Sequence, residues 1–230
     1  MKVIGLIGGM SWQSSLEYYR LINQLVQQRL GGQNNAVTLM STVNFHDIEQ
    51  MQREARWDEM GVLLADVAQR LERGGADFVI LCTNTMHRVA PAIQRAVSIP
   101  LIHIASATAD RIQRAGLQKI GLLGTKFTME QDFYKGILTR DYGLEVLIPE
   151  EAERNEIHRI IYDELCLGTV RRESRRTYAQ IMRDLEARGA QGIILGCTEI
   201  TLLVKAEDSS VAQFDTTLIH AERAVELALE

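Results

Sequence analysis

Leu71–Thr85 reads LERGGADFVILCTNT, and Leu185–Glu199 reads LEARGAQGIILGCTE. The two stretches align without a gap, with identities at Leu71/Leu185, Glu72/Glu186, Gly75/Gly189, Ala76/Ala190, Ile80/Ile194 and Leu81/Leu195. Each runs from the end of an amphipathic segment through a glycine into a short apolar run, then into small polar residues. That order reads as helix, turn, buried strand and loop. A second match lies upstream of each: Ile4-Gly5-Leu6-Ile7-Gly8 against Ile120-Gly121-Leu122-Leu123-Gly124. The upstream pair is offset by 116 positions and the downstream pair by 114, so the two halves keep nearly the same internal spacing. Helix–glycine–strand is a common pattern that chance can match once. Two matches in the same order favour an internal duplication.

Outward from these stretches, short apolar runs alternate with longer amphipathic ones. The runs that read as strands are Val3–Ile7, Ala36–Met40, Phe78–Leu81, Leu101–Ile104, Ile120–Leu123, Glu145–Leu147 and Gly192–Leu195. Between Trp57 and Leu71, apolar residues fall at Met60, Leu63, Leu64, Val67 and Leu71, a helical spacing with one face toward a core. Strands alternating with helices predict parallel sheets covered on both sides. The expected fold is therefore α/β, with two pseudo-symmetric doubly wound parallel-sheet domains and the active site between them. Residues 1–104 plus 215–230 form one half and residues 105–214 the other. The last helix, Thr217–Leu229, is expected to return to the first half, with Asp215 or Thr216 as its N-cap.

The 230 residues suffice for two such halves. A hydrophobic content of 46% and a charged content of 24% are those of an ordinary globular protein. With 25 basic and 30 acidic residues interspersed, a net charge of -5 gives no footprint for nucleic acid and no polybasic membrane patch. No apolar run approaches the ~18 residues of a membrane span, and the MKVIGLIGGM start has no cleavage-site pattern. The three widely spaced cysteines, Cys82, Cys166 and Cys197, read as reduced thiols in a cytoplasmic protein rather than as a disulfide framework or a zinc site.

Open parallel sheets bind ligands beyond the carboxyl ends of their strands. Four such ends stand out: Gly8-Gly9-Met10-Ser11, Thr83-Asn84-Thr85, Gly124-Thr125 and Cys197-Thr198-Glu199. Backbone N–H groups at helix starts, joined by the hydroxyls of Ser11, Thr85, Thr125 and Thr198, suit a small carboxylate. Gly8-Gly9 also reads as a tight turn without ligand, and the spacing of Gly5, Gly8 and Gly9 is wrong for a dinucleotide fingerprint. Cys197 reads either as a small buried hydrophobe or as a thiol at a helix N-terminus, where the dipole favours the thiolate. Its Gly-Cys-Thr-Glu setting at a strand end favours the second. The repeat sets Thr83, not Cys82, opposite Cys197, so strand alternation turns Cys82 away from the site as a structural residue. Cys166, in the helical stretch Ile157–Leu167, reads as packing.

With its Gly-Leu-Ile-Gly-Gly-Met opening, Asn84-Thr85-Met86-His87, Gly196-Cys197-Thr198-Glu199 and Phe214-Asp215-Thr216-Thr217, the chain resembles the aspartate/glutamate racemase superfamily along its whole length. The resemblance implies a cofactor-independent amino-acid racemase, using neither pyridoxal phosphate nor metal, with a small-molecule amino acid as its partner. In that family one cysteine from each half flanks the substrate Cα, and one takes the proton while the other returns one. Homodimers are frequent there, but no residue pattern in this chain identifies one. The expected substrate-binding residues are Met10, Gln52, Thr83, Asn84, Thr85, Thr198 and Glu199, the last through its backbone N–H. His87 either assists Thr83 or caps its own helix.

Two departures stand out. The family's Cys-Asn-Thr is Thr83-Asn84-Thr85 here, which leaves a hydroxyl where a thiol is usual. The Arg that clamps a side-chain carboxylate in some relatives falls at Gln52 or Arg53, and the accompanying Lys at Cys166, so neutral polar amino acids join aspartate and glutamate as candidates. A single-cysteine decarboxylase or an isomerase of the same superfamily, or an amino-acid sensor, are the competing readings. Since the second-half cysteine acts on the L enantiomer in this family, Cα exchange in D₂O is expected to be fast from L substrates and slow from D. Equal rates from both enantiomers would overturn the assignment of Thr83 to the opposing face.

Overall fold

The computed structural model describes all 230 residues, which divide into two compact units, Met1–Ile104 with His220–Glu230 and Ala105–Ile219. The first unit contains β1 (Ile4–Gly8), α1 (Trp12–Leu30), β2 (Thr38–Thr42), α2 (Phe45–Arg53), α3 (Trp57–Arg73), β3 (Phe78–Leu81), a 3₁₀ turn (Thr85–Val89), α4 (Ala90–Ala96) and β4 (Leu101–Ile102). The chain then passes through α5 (Ile104–Arg114), β5 (Lys119–Gly124), α6 (Lys126–Glu130), α7 (Asp132–Gly136), β6 (Glu145–Leu147), α8 (Glu151–Asp163), α9 (Arg172–Ala187), β7 (Gly192–Gly196), α10 (Ile200–Leu203) and β8 (Ala212–Asp215). It returns to the first unit along α11 (Thr216–Leu229).

Each unit holds one four-stranded parallel sheet, in the order β2-β1-β3-β4 and β6-β5-β7-β8. The register repeats as well as the order. Gly5 pairs with Val79 and Ile7 with Leu81, while Gly121 pairs with Ile193 and Leu123 with Leu195, the same partners under the two sequence offsets.

The identities of the repeat are the residues that make the turn into the third strand. Gly75 N–H donates to Glu72 and Ala76 N–H to Leu71, and Gly189 and Ala190 do the same to Glu186 and Leu185. These paired bonds form a Schellman cap, which requires a left-handed residue at the glycine. Both glycines supply it, with φ of 97° and 95°. Glu72 and Glu186 are shared for a second reason: each carboxylate accepts hydrogen bonds from the loop before the fourth strand. Glu72 takes Ser98 and Ile99, and Glu186 takes Ser209 and Ser210.

In the first unit the central strands are buried on both faces, so their alternate residues feed two cores. Ile7, Val79 and Leu81 pack against Met60, Leu64, Val67 and Leu71 of α3 and Ile93 of α4. Ile4, Leu6, Phe78, Ile80 and Cys82 face the other way, onto Tyr18, Ile22 and Val26 of α1 and Ala221, Ala224, Val225 and Ala228 of α11. Fully burying each large aliphatic side chain contributes on the order of 1.5–3 kcal/mol, so these two layers dominate the unit's stability. Asp215 caps α11, its side chain accepting from the N–H groups of Thr217 and Leu218.

Some expected boundaries shift. Leu101–Ile104 yields a two-residue strand with Ile104 already opening α5, and Ala212–Asp215 forms an edge strand that its sequence does not advertise. Cys166 lies beyond the end of α8, in a 3₁₀ turn at Leu165–Leu167, and is half-buried rather than a packed helix residue. No helix is long and apolar enough to cross a membrane.

Gly9 has φ of 90°, and a Cβ there would lie 2.1 Å from the Val43 carbonyl oxygen. Gly75 has an equally left-handed φ but open space around its missing Cβ. Gly75→Ala is therefore expected to cost only about 1–2 kcal/mol, and Gly9→Ala roughly 3 kcal/mol or more through backbone collision. Denaturant midpoints at unchanged m-value check this order.

Candidate active site

In the first unit the chain leaves β3 through Cys82 and Thr83. Alternation separates them: Cys82 is fully buried in the α1/α11 core, while Thr83 turns out of it, 8% exposed. Burial pushes the Cys82 thiol far up. It is thus a poor acid or base, as its reading as a structural residue requires.

Asn84 and Thr85 follow, both buried, and the 3₁₀ turn carries Met86 and His87 inward. Gln52, on α2, is buried too, and its amide Nε2 donates to the Met86 sulfur at 3.1 Å. Of the two neighbours, Gln52 faces the Thr83–His87 segment, whereas Arg53 is exposed and pairs with Glu49. A helix carries adjacent residues about 100° apart, so only one of the two can face inward.

His87 does not cap its own helix. Its Nδ1–H donates to the Thr83 carbonyl at 2.8 Å, and Nε2 accepts from the Ile104 N–H at 3.2 Å. The His103 ring packs edge-on at 4.5 Å between centroids, and the His220 ring lies at 5.8 Å. Burial, reinforced by the other two histidines, holds His87 uncharged, well below the ordinary imidazole range. His220, brought down to about 4 by burial, donates Nε2–H to the Ile102 carbonyl and accepts from the Tyr18 hydroxyl, both at 2.8 Å.

The side chains at the glycine-turn ends bond within the chain. The Ser11 hydroxyl caps α1 by accepting from the Ser14 N–H, and the Gly9 N–H is taken by the Ser15 hydroxyl at 2.7 Å. Thr125 caps α6 in the same way, accepting from the Thr128 N–H. Met10 is 4% exposed, and its side chain belongs to the core formed with Ile48 and Met51.

In the second unit Cys197 follows β7 and is half-buried. Its thiol donates to Glu199 Oε2 at 2.9 Å. The helix beyond, α10, is a single turn of four residues, too short for a strong dipole. Burial instead pushes the Cys197 thiol well up, and the charge of Glu199 adds to this. Only the Glu199 backbone N–H, which hydrogen-bonds the sulfur, pulls the other way. The resting thiol is therefore protonated, contrary to the expectation of a helix-stabilised thiolate, and the Glu199 side chain is its partner as well as the backbone. Thr198 is buried beside them, its carbonyl accepting from the Thr201 hydroxyl.

Sequence reading missed Tyr178. This α9 residue is fully buried, its hydroxyl has no hydrogen-bond partner in the chain, and Cys197 and Cys166 both act on it electrostatically. A single tyrosine in an amphipathic helix carries no signal of this. The nearby buried carboxylate, Glu164, is consumed by Ser174 at 2.6 Å and Arg159 at 2.9 Å. No group of three or more His, Cys, Asp or Glu side chains is arranged to hold a metal.

Because Glu199 raises the thiol, Glu199→Gln should lower the pH midpoint for alkylation of Cys197 by iodoacetamide. In the unmodified protein that midpoint should lie above the ~8.5 of a free cysteine. An unchanged or higher midpoint in the variant would contradict the pairing.

Comparison with known proteins places this geometry. Residues 7–224 match the family model described as Asp/Glu/Hydantoin racemase. Among curated proteins, the broad specificity amino-acid racemase RacX of Bacillus subtilis is 25% identical over 226 residues, 97% of this chain and 96% of its own length. A Yersinia pestis crystal structure, provisionally described as an Asp/Glu racemase, covers both chains fully at 52% identity with a TM-score of 0.95. An aspartate racemase homologue from Pyrococcus horikoshii OT3 does so at 36% and 0.86. A duplicated parallel-sheet frame carrying a strand-end thiol, matched by a family model along nearly its full length, makes this chain a member of the Asp/Glu/hydantoin racemase family.

Proposed function

We propose that this protein racemises L-aspartate or L-glutamate, with neutral polar amino acids as further substrates, without pyridoxal phosphate or metal. Cys197 is the base that takes the Cα proton of the L enantiomer, and Thr83 delivers a proton to the opposite face, directly or through water. The observation that carries this reading is the thiol–carboxylate pair at the end of β7, with Sγ 2.9 Å from Glu199 Oε2.

A Cα proton is weakly acidic, so the base must be a thiolate in a site that excludes water. Passing the thiol proton to Glu199 creates that thiolate without changing the pair's net charge of minus one. The ammonium group of an incoming amino acid offsets that single negative charge in either arrangement. Cys197 then accepts the Cα proton, and the electron pair of the broken C–H bond spreads onto the substrate carboxylate, where N–H and hydroxyl donors stabilise it. Asn84, Thr85 and Thr198 are the proposed donors. A proton from the Thr83 side completes inversion, and exchange with solvent returns both groups to their starting state.

Gln52 stands where a guanidinium would clamp a side-chain carboxylate, and an amide there donates hydrogen bonds without a charge. That supports a range reaching beyond acidic substrates. RacX, whose printed description is broad specificity, is consistent with such a range.

Chiral chromatography of L-amino acids incubated with the protein should reveal the D enantiomers. Cys197→Ser should reduce kcat by roughly 10²–10⁴-fold. Release of CO₂ from a malonate-type acid without amino-acid inversion would replace the reading with a decarboxylase. Binding of L-aspartate without Cα deuterium exchange would replace it with a sensor.

A further inference from the structure

His87 bridges two segments that are distant in sequence. One is Thr83, at the end of β3, and the other is Ile104, where the chain leaves the first unit. A carbonyl can only accept and a backbone N–H can only donate, so this geometry demands one form of the ring, neutral with the proton on Nδ1. A charged ring would set Nε2–H against the Ile104 N–H. The groups facing the ring are His103 and His220, and Tyr18 lies behind His220. His220 holds the same exit segment one step earlier, at the Ile102 carbonyl. Nothing in the reaction itself uses these imidazoles.

We propose that His87 is a positioning residue for Thr83, a neutral imidazole that pins the Thr83 carbonyl relative to the Ile104 amide and thereby fixes where the Thr83 hydroxyl points. Threonine is β-branched and stiff at χ1, so the direction of its hydroxyl follows its backbone. A hydroxyl that replaces a thiol as proton donor tolerates little misplacement, since it is the poorer acid. This inference rests on the racemase reading above and adds a residue to it.

Two substitutions separate the roles of the ring nitrogens. His87→Asn places an amide near Nδ1 and can still donate to the Thr83 carbonyl. His87→Gln places its amide near Nε2 and can still accept from Ile104, but loses the Thr83 bond. For the full-length protein with L-aspartate in D₂O, the readout is the ratio of D-product formation to deuterium uptake into recovered L substrate. Uptake requires only the Cys197 side, whereas inversion also requires Thr83. H87Q is expected to lower that ratio by about tenfold or more, while H87N keeps it close to that of the unmodified protein.

Equal ratios in both variants, even with both activities reduced, would mean that His87 is merely structural and would overturn the inference. Cys197→Ala and Thr83→Ala run alongside. Inversion persisting in either would put the racemase mechanism at fault rather than His87. Independently of any variant, long-range ¹H–¹⁵N NMR of the unmodified protein should find His87 as the neutral Nδ1–H tautomer at pH 7. An Nε2–H or charged ring would overturn the proposal.

Discussion

A parallel sheet buried on both faces leaves its strands no freedom for chemistry. All residues of β1, β3 and β7, and all of β5 but Lys119, are buried, and the backbone groups are spent on neighbouring strands. Polar function can gather only where the strands stop, at their carboxyl ends. The separation of Cys82 from Thr83 follows from this. One residue earlier a side chain is still in the core, and one residue later it has left it. The Cys82 side chain accordingly packs within a core.

The duplication divides its residues along the same line. Positions shared by the two copies are those that build the frame: the leucine and glycine of the Schellman cap, the glutamate that clamps the next loop, and the apolar strand residues. The copies also differ within the frame, at Arg73/Ala187, Gly74/Arg188, Asp77/Gln191, Phe78/Gly192 and Val79/Ile193, but beyond Leu81 and Leu195 they share nothing, with Cys82, Thr83, Asn84 and Thr85 against Gly196, Cys197, Thr198 and Glu199. The hydrogen bonds that turn the chain into the third strand are common to both copies, while the polar residues at the strand's end are not. The resulting pair is chemically unequal: a hydroxyl backed by an imidazole lattice in one unit, a thiol bonded to a carboxylate in the other.

That inequality shows in the electrostatics. The Cys197 thiol is held protonated by burial and by Glu199, and His87 is held neutral by burial and by two further histidines. Both are resting states in which a buried group avoids an isolated charge. For Cys197 the partner is a carboxylate that accepts from the thiol. For His87 the partners lock the ring, and the ring locks the loop.

The sequence by itself determined the α/β class, the strand runs at the centre of each sheet and the strand-end location of the polar clusters. Hydrophobic periodicity, glycine placement and the gapless repeat are local properties that survive without a structure. It also separated Cys82 from Thr83, because alternation along a strand is local too. Only the tertiary structure decided that β8 exists, since a short edge strand is made by its neighbour's hydrogen bonds. The same holds for Gln52 turning inward while Arg53 does not, and for a hidden Tyr178 hydroxyl. It also set the direction in which Cys197 titrates. A helix start in the sequence suggests a stabilised thiolate, but the helix proved one turn long, and burial with a neighbouring carboxylate, both set by packing, outweighed it.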